Sequence, residues 1–159
     1  MQKPEWKHIL WGVVISVLLL TGACSSSKYQ MHDGYYCAEA KEFDDNGWKE
    51  YVTIFVSSGQ IILVEYNAFN EAGFLKSWDM DFMREMNASN NTNPNAYTRY
   101  YAGKLLNYQK SQDIDILSGA TYSYYIFIQL AEAAINSAKQ GKTETATVKL
   151  NRLGNIPPR

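Results

Sequence analysis

Asp115-Ile116-Leu117-Ser118-Gly119-Ala120-Thr121-Tyr122-Ser123 leads into the segment whose pattern governs the reading of this chain. Across residues 122–139, Phe127, Leu130, Ala131, Ala134, Ile135 and Ala138 recur at steps of three and four, which puts them on one face of a helix. Gly141 stands where a helix stop belongs, because glycine takes the left-handed conformation of a helix end without steric cost. Such an apolar face needs a surface to cover, and the residues upstream supply it. Residues 35–43 have strand composition, Asp44-Asp45-Asn46-Gly47 signals a turn, and residues 50–56 alternate apolar and polar groups. Ser57-Ser58-Gly59 is a second turn, ahead of Ile61-Ile62-Leu63-Val64-Glu65-Tyr66, a β-branched and more buried strand. Three strands in succession predict an antiparallel meander.

Between strands and helix the character changes. Trp78, Phe82 and Met86 stand at steps of four with charges between them, so a short helix is expected over residues 77–86. Residues 87–95 are rich in Asn and read as a loop, and Pro94 suits the first turn of a helix carrying Tyr97, Tyr101, Leu105 and Tyr108 and ending near Gln109. Residues 143–150 alternate and hold three threonines, which predicts a last strand. The expected fold is α+β, with helices packed against a mostly antiparallel sheet.

The chain has 159 residues, 46% of them hydrophobic and 19% charged, enough for one core and too few for two full domains. Lys3 and Lys7 precede an apolar run at residues 9–20 and then Thr21-Gly22-Ala23-Cys24, the order of a signal peptide. The run is shorter than the ~20 residues of a membrane-spanning helix. Gly22-Ala23-Cys24 resembles a bacterial lipobox, in which the cysteine is lipidated and becomes the first residue, although Thr21 stands where Leu is usual. Residues 1–23 are therefore read as a signal peptide, 24–32 as the lipidated Cys24 and a tether, 33–150 as the domain and 151–159 as a flexible tail. Of the 15 basic and 16 acidic residues, Lys3, Lys7 and Glu5 leave with the signal peptide, so 13 basic and 15 acidic remain and the net charge is −2. That balance offers no basic field for nucleic acid. With Cys24 lipidated, Cys37 has no partner for a disulfide within the domain.

Metal ligation and nucleophilic hydrolysis find little support. No Cys pair, His pair or calcium-loop spacing is present, and His32 is the one histidine left after cleavage. The paired carboxylates Asp44-Asp45 and Asp79-Asp81 read as solvated surface. The segment before the strongest helix is more informative. The first N–H groups of a helix lack intrahelical partners and carry the positive end of the macrodipole, so an anion is favoured there. Gly119 and Ala120 permit close backbone approach, and the hydroxyls of Ser118, Thr121 and Ser123 are potential phosphate contacts. The competing reading is an ordinary Ser or Thr helix cap.

Asp115, Ser118, Gly119, Ala120 and Thr121 resemble the motif of the bacterial FMN-binding domain family, related to the flavin-bearing subunits of sodium-pumping quinone reductase and of the Rnf complex. Asp33-Gly34-Tyr35, Ala38-Glu39-Ala40, Asp45-Asn46-Gly47-Trp48, Val64-Glu65-Tyr66, Phe69-Asn70-Glu71, Lys76-Ser77 and Leu130-Ala131-Glu132-Ala133-Ala134 extend the likeness over residues 33–148. Tyr122 and Tyr124 depart from it. The resemblance implies FMN joined to Thr121 through a phosphoester bond by a FAD-dependent flavin transferase. It further implies an electron carrier rather than an enzyme, working between a membrane donor and an extracytoplasmic acceptor. Lys76 and Ser77 are candidates for the ribityl or phosphate group; Tyr66, Trp78, Met83, Met86, Tyr122 and Tyr125 are candidates for the ring. Reversible FMN binding, a flavin reductase and a flavin-free structural lipoprotein are the rival expectations.

Overall fold

The computed structural model describes residues 30–151. The signal peptide, Cys24 and most of the tether and tail lie outside them. Strands β1 (Gly34–Ala40), β2 (Lys49–Ser57) and β3 (Gln60–Phe69) form the expected antiparallel meander. β4 is only Ala146–Val148, and it pairs parallel to β1, giving the sheet order β3-β2-β1-β4. Three helices complete the α+β fold: α1 (Met80–Asn90), α2 (Pro94–Tyr108) and α3 (Thr121–Gln140).

Alternation along the strands decides which face is covered. Tyr36, Ala38, Val52, Ile54, Val56, Ile61 and Tyr66 point inward and are buried against Tyr97, Tyr101 and Leu105 of α2 and Phe127, Leu130 and Ala134 of α3. The opposite face carries Tyr35, Phe55 and Leu63 in one cross-strand row. At the centre of the core the rings of Tyr66, Tyr97, Tyr101, Tyr124 and Phe127 touch one another, with Tyr66 and Phe127 centroids 4.9 Å apart.

Two expectations are corrected. The helix expected over residues 77–86 is a 3-10 turn at Lys76–Trp78 followed by α1, because Asp79 intervenes and its carboxylate caps Phe82 N–H at 2.9 Å. α1 then runs to Asn90, into the stretch read as a loop, and ends on Asn91 in the left-handed conformation. Asparagine is a poor helix former that is at home at helix ends, so composition misplaced the boundary. α2 starts at Pro94 behind an Asn93 cap and ends on left-handed Gln109; α3 ends on left-handed Gly141, as expected.

β1 and α3 run in opposite directions. His32 N–H donates to the Ala138 carbonyl at 2.9 Å, and a Cβ on Gly141 would meet the His32 ring at 3.5 Å, so the chain enters the domain beside the C-terminal end of α3. The α3 N-terminus lies at the opposite end of the domain.

Candidate functional site

Residues 117–120 form a tight turn closed by Ala120 N–H on the Leu117 carbonyl at 3.0 Å, with Gly119 at φ +80°. Ser118 at the second and Gly119 at the third position match a type II turn. Gly119 is required twice over. A side chain would strain that φ, and a Cβ there would come within 2.1 Å of the Asn90 carbonyl oxygen. The backbone that approaches Gly119 closely is thus the protein's own, at the α1 C-terminus. Tyr101 fastens the turn from beneath: its hydroxyl accepts from Leu117 N–H at 3.2 Å and donates to the Ala120 carbonyl at 3.1 Å. Burial pushes this phenol up to about 12, so it stays protonated and able to donate.

The turn delivers α3 with Ala120, not a hydroxyl residue, at the capping position, and no side chain caps the helix. The ordinary Ser or Thr cap is therefore not the arrangement found. Ala120, Tyr122 and Ser123 of this helix start line a cleft of about 340 Å3 together with Gly119, Lys76, Asp44, Asn46, Phe82, Met86 and Tyr97. Its size lies at the lower end for small-molecule sites. A second cleft of about 300 Å3 adjoins it, with Asp44 and Tyr122 common to both and Trp48, Glu50 and Ile126 among its other walls.

Beneath these clefts sits a buried charge cluster. The Lys76 side chain is 8% exposed; its ammonium stands 3.7 Å from Glu50 and 4.0 Å from Asp44, and lies over the Phe82 ring at 4.9 Å and the Trp48 ring at 5.9 Å. Burial raises Glu50 above the usual carboxylate range, opposed first by the Lys76 charge and then by the hydrogen bond that the Tyr66 hydroxyl donates to it. The same Tyr66 hydroxyl stands 3.1 Å from the Ser123 carbonyl, which ties the cluster to the first turn of α3. Tyr97, its phenol raised by burial, shares a hydrogen bond with the Ser123 side chain.

Of the residues singled out in the sequence, the fold brings Gly119, Ala120, Tyr122, Ser123, Lys76 and Met86 to one cleft. Thr121 is exposed and Ser118 half-buried; both are neighbours in sequence of the cleft residues and not among them, and Asp115 is exposed just ahead of the turn. Ser77 goes elsewhere: its hydroxyl accepts from Asn67 Nδ2 at 2.8 Å, and it lines a separate depression beside Trp78. Met83 is half-buried and not among the cleft residues, Tyr66 is a core residue and Tyr125 packs against the core. Glu50, Asp44, Phe82 and Tyr97 escaped the sequence reading. Glu50 left a signal, since it occupies an inward position of an alternating strand where an apolar residue belongs. Among the described residues no group of three or more His, Cys, Asp or Glu is placed to hold a metal ion, and no helix is long and apolar enough to cross a membrane.

No family model matches the chain. A crystal structure of a Clostridium perfringens protein is 37% identical in sequence and superposes with a TM-score of 0.73, covering 76% of this chain and 99% of that one. A solution structure of a Clostridium thermocellum protein is 28% identical with a TM-score of 0.49, over 77% of this chain and 98% of that one. The 15 kDa lipoprotein of Treponema pallidum (strain Nichols) is 34% identical over 130 residues, which span 82% of this chain and 91% of the relative. With that identity held over more than four-fifths of both sequences, the chain belongs to the family of the 15 kDa lipoprotein.

Proposed function

We propose that this protein is an exported, lipid-anchored flavoprotein in which Cys24 carries the lipid and Thr121 carries FMN through a phosphoester bond, and that it passes electrons from a membrane donor to an extracytoplasmic acceptor. The lipoprotein relationship supports the anchor. The observation that carries the flavin reading is the start of α3, which no side chain caps, opening beside the buried Lys76 ammonium onto a cleft walled by Phe82, Met86 and Tyr122. These residues fit the group. Backbone N–H groups and an ammonium suit a phosphate, while aromatic and thioether surface suits a flat apolar ring. FMN supplies reversible one- and two-electron chemistry when bound.

The chain's own residues have separable tasks. Gly119 and Tyr101 set the turn from which α3 starts, and Thr121, the first residue of that helix, is exposed and so open to a transferase. Lys76, shared between Glu50 and Asp44, brings an ammonium to the cleft wall. A covalent bond suits the compartment, because a dissociable cofactor outside the cell membrane is lost by diffusion.

The test is the visible spectrum of the full-length protein coexpressed with the transferase, before and after denaturation, with mass spectrometry of the Thr121 peptide. Flavin that survives denaturation in the wild type and vanishes in Thr121→Ala is expected. Dialysable flavin in both would replace the carrier with a reversible FMN-binding module, and a colourless protein with an unmodified Thr121 peptide would remove the flavin altogether.

A further inference from the structure

The sheet has one face covered by α2 and α3, and the face turned away from them carries an apolar row at one end. Tyr35, Phe55 and Leu63 are cross-strand neighbours there, with the Tyr35 ring stacked on Phe55 at 4.4 Å. Tyr35 is 61% exposed and Leu63 44%. Beside them the β2–β3 register shifts at Phe55/Val56, which leaves Ile62 unpaired as the extra residue of a bulge and 52% exposed. The carboxylates nearest in sequence are engaged within the protein: Asp33 accepts from Gly59 N–H at 3.0 Å and Glu65 from the Tyr51 hydroxyl at 2.6 Å.

This row lies at the end where the chain enters the domain. Tyr35 follows Gly34, the first residue of β1, and Gly34 lies ten residue steps beyond Cys24, a reach of at most about 35 Å when fully extended. The clefts lie at the other end. α3 runs from Thr121 beside them to Gln140 beside His32, and 20 helical residues span about 30 Å.

We infer that Tyr35, Phe55, Ile62 and Leu63 seat on the lipid headgroup layer of the membrane that holds the anchor, so that the clefts, at the other end of the domain, stay clear of the contact. The inference rests on the proposed lipidation of Cys24 and is independent of the flavin. Tyrosine with an apolar body and a polar tip is favoured at the membrane–water interface, and the β-branched and aliphatic neighbours extend its contact. A second copy of the chain is the poorer occupant. Four side chains, one of them half-buried, expose far less than the roughly 800 Å2 per partner of a stable dimer. A surface that is covalently tethered within a few nanometres needs much less, because its local concentration is already high. For the proposed carrier, this orientation directs the site toward a partner standing clear of the bilayer.

The test uses the full-length lipidated chain in phospholipid vesicles, with a spin label attached through Ile62→Cys or, as a control, through Ser89→Cys on the α1 wall of the first cleft, each in a Cys37→Ser background. The label at position 62 is expected to lose collisions with an aqueous nickel chelate and gain them with oxygen when vesicles are present, while the label at 89 stays aqueous. Tyr35→Ser with Leu63→Ser should restore nickel access at 62 with the lipid mass still on Cys24. Two labels that both remain aqueous, with the lipid mass present, overturn the seating alone. Absence of the lipid mass overturns the anchor and the seating together. Shielding at 62 that depends on protein concentration and not on vesicles overturns it in favour of a second copy.

Discussion

Single positions at the site are held by constraints that can be removed one at a time. Gly119→Ala places a Cβ against the Asn90 carbonyl at 2.1 Å and forces a side chain into positive φ, so a loss of about 1–3 kcal/mol is expected, read as a lower denaturant midpoint. The buried pair behaves differently. Lys76→Met leaves Glu50 ionised or forced to protonate without its cation, and removing one partner of a buried pair costs about 3–5 kcal/mol. Glu50 also sets a pH dependence. Its carboxyl binds a proton more tightly in the folded protein than in the unfolded chain, so between the two pKa values the native state holds more protons. Its contribution to stability is complete below the unfolded value near 4.5 and is lost as pH rises through the raised folded value. Urea midpoints of the wild type should therefore carry a falling component above pH 4.5 that Glu50→Gln removes; parallel profiles for the two proteins would refute it.

Helices differ in how firmly the rest of the chain holds them. α2 and α3 contribute Tyr97, Tyr101, Leu105, Phe127 and Leu130 to the core, whereas no residue of α1 is fully buried. α1 depends on its Asp79 cap and on the half-buried Phe82, Met83 and Met86. Its amides should exchange with deuterium fastest among the three helices, and Asp79→Ala, costing about 1 kcal/mol of helix stability, should speed α1 further while leaving α3 unchanged. Uniform exchange across the helices would contradict this. The consequence for the site is direct, because α1 supplies Phe82, Met86 and Asn90 to the cleft. One wall is the most adaptable element, and the opposite wall, α3, is rooted in the core.

At the scale of the whole molecule, burial separates what holds the fold from what the surface is free to use. Phe127→Ala, at the centre of the ring cluster, should cost about 3–5 kcal/mol, whereas Tyr35→Ser with Leu63→Ser should lower the thermal midpoint much less, since Tyr35 is 61% and Leu63 44% exposed. Calorimetry of the two proteins checks both. The sequence alone determined the meander, the long helix starting after Ser118-Gly119-Ala120 and stopping at Gly141, and the α+β class, because periodicity, turn residues and helix stops are local and act over a few neighbours. It misjudged the stretch after Met86, where asparagine favours a helix end as readily as a loop and only Asp79 and Asn91 fix the limits of α1. The tertiary structure decided what local pattern cannot express. It sent Ser77 away from the cleft and Tyr66 into the core, reserved Gly119's missing side chain for Asn90, and buried Glu50 beside Lys76. Those outcomes depend on residues tens of positions apart meeting in a closed core, where an unpaired charge or an extra Cβ has nowhere else to go.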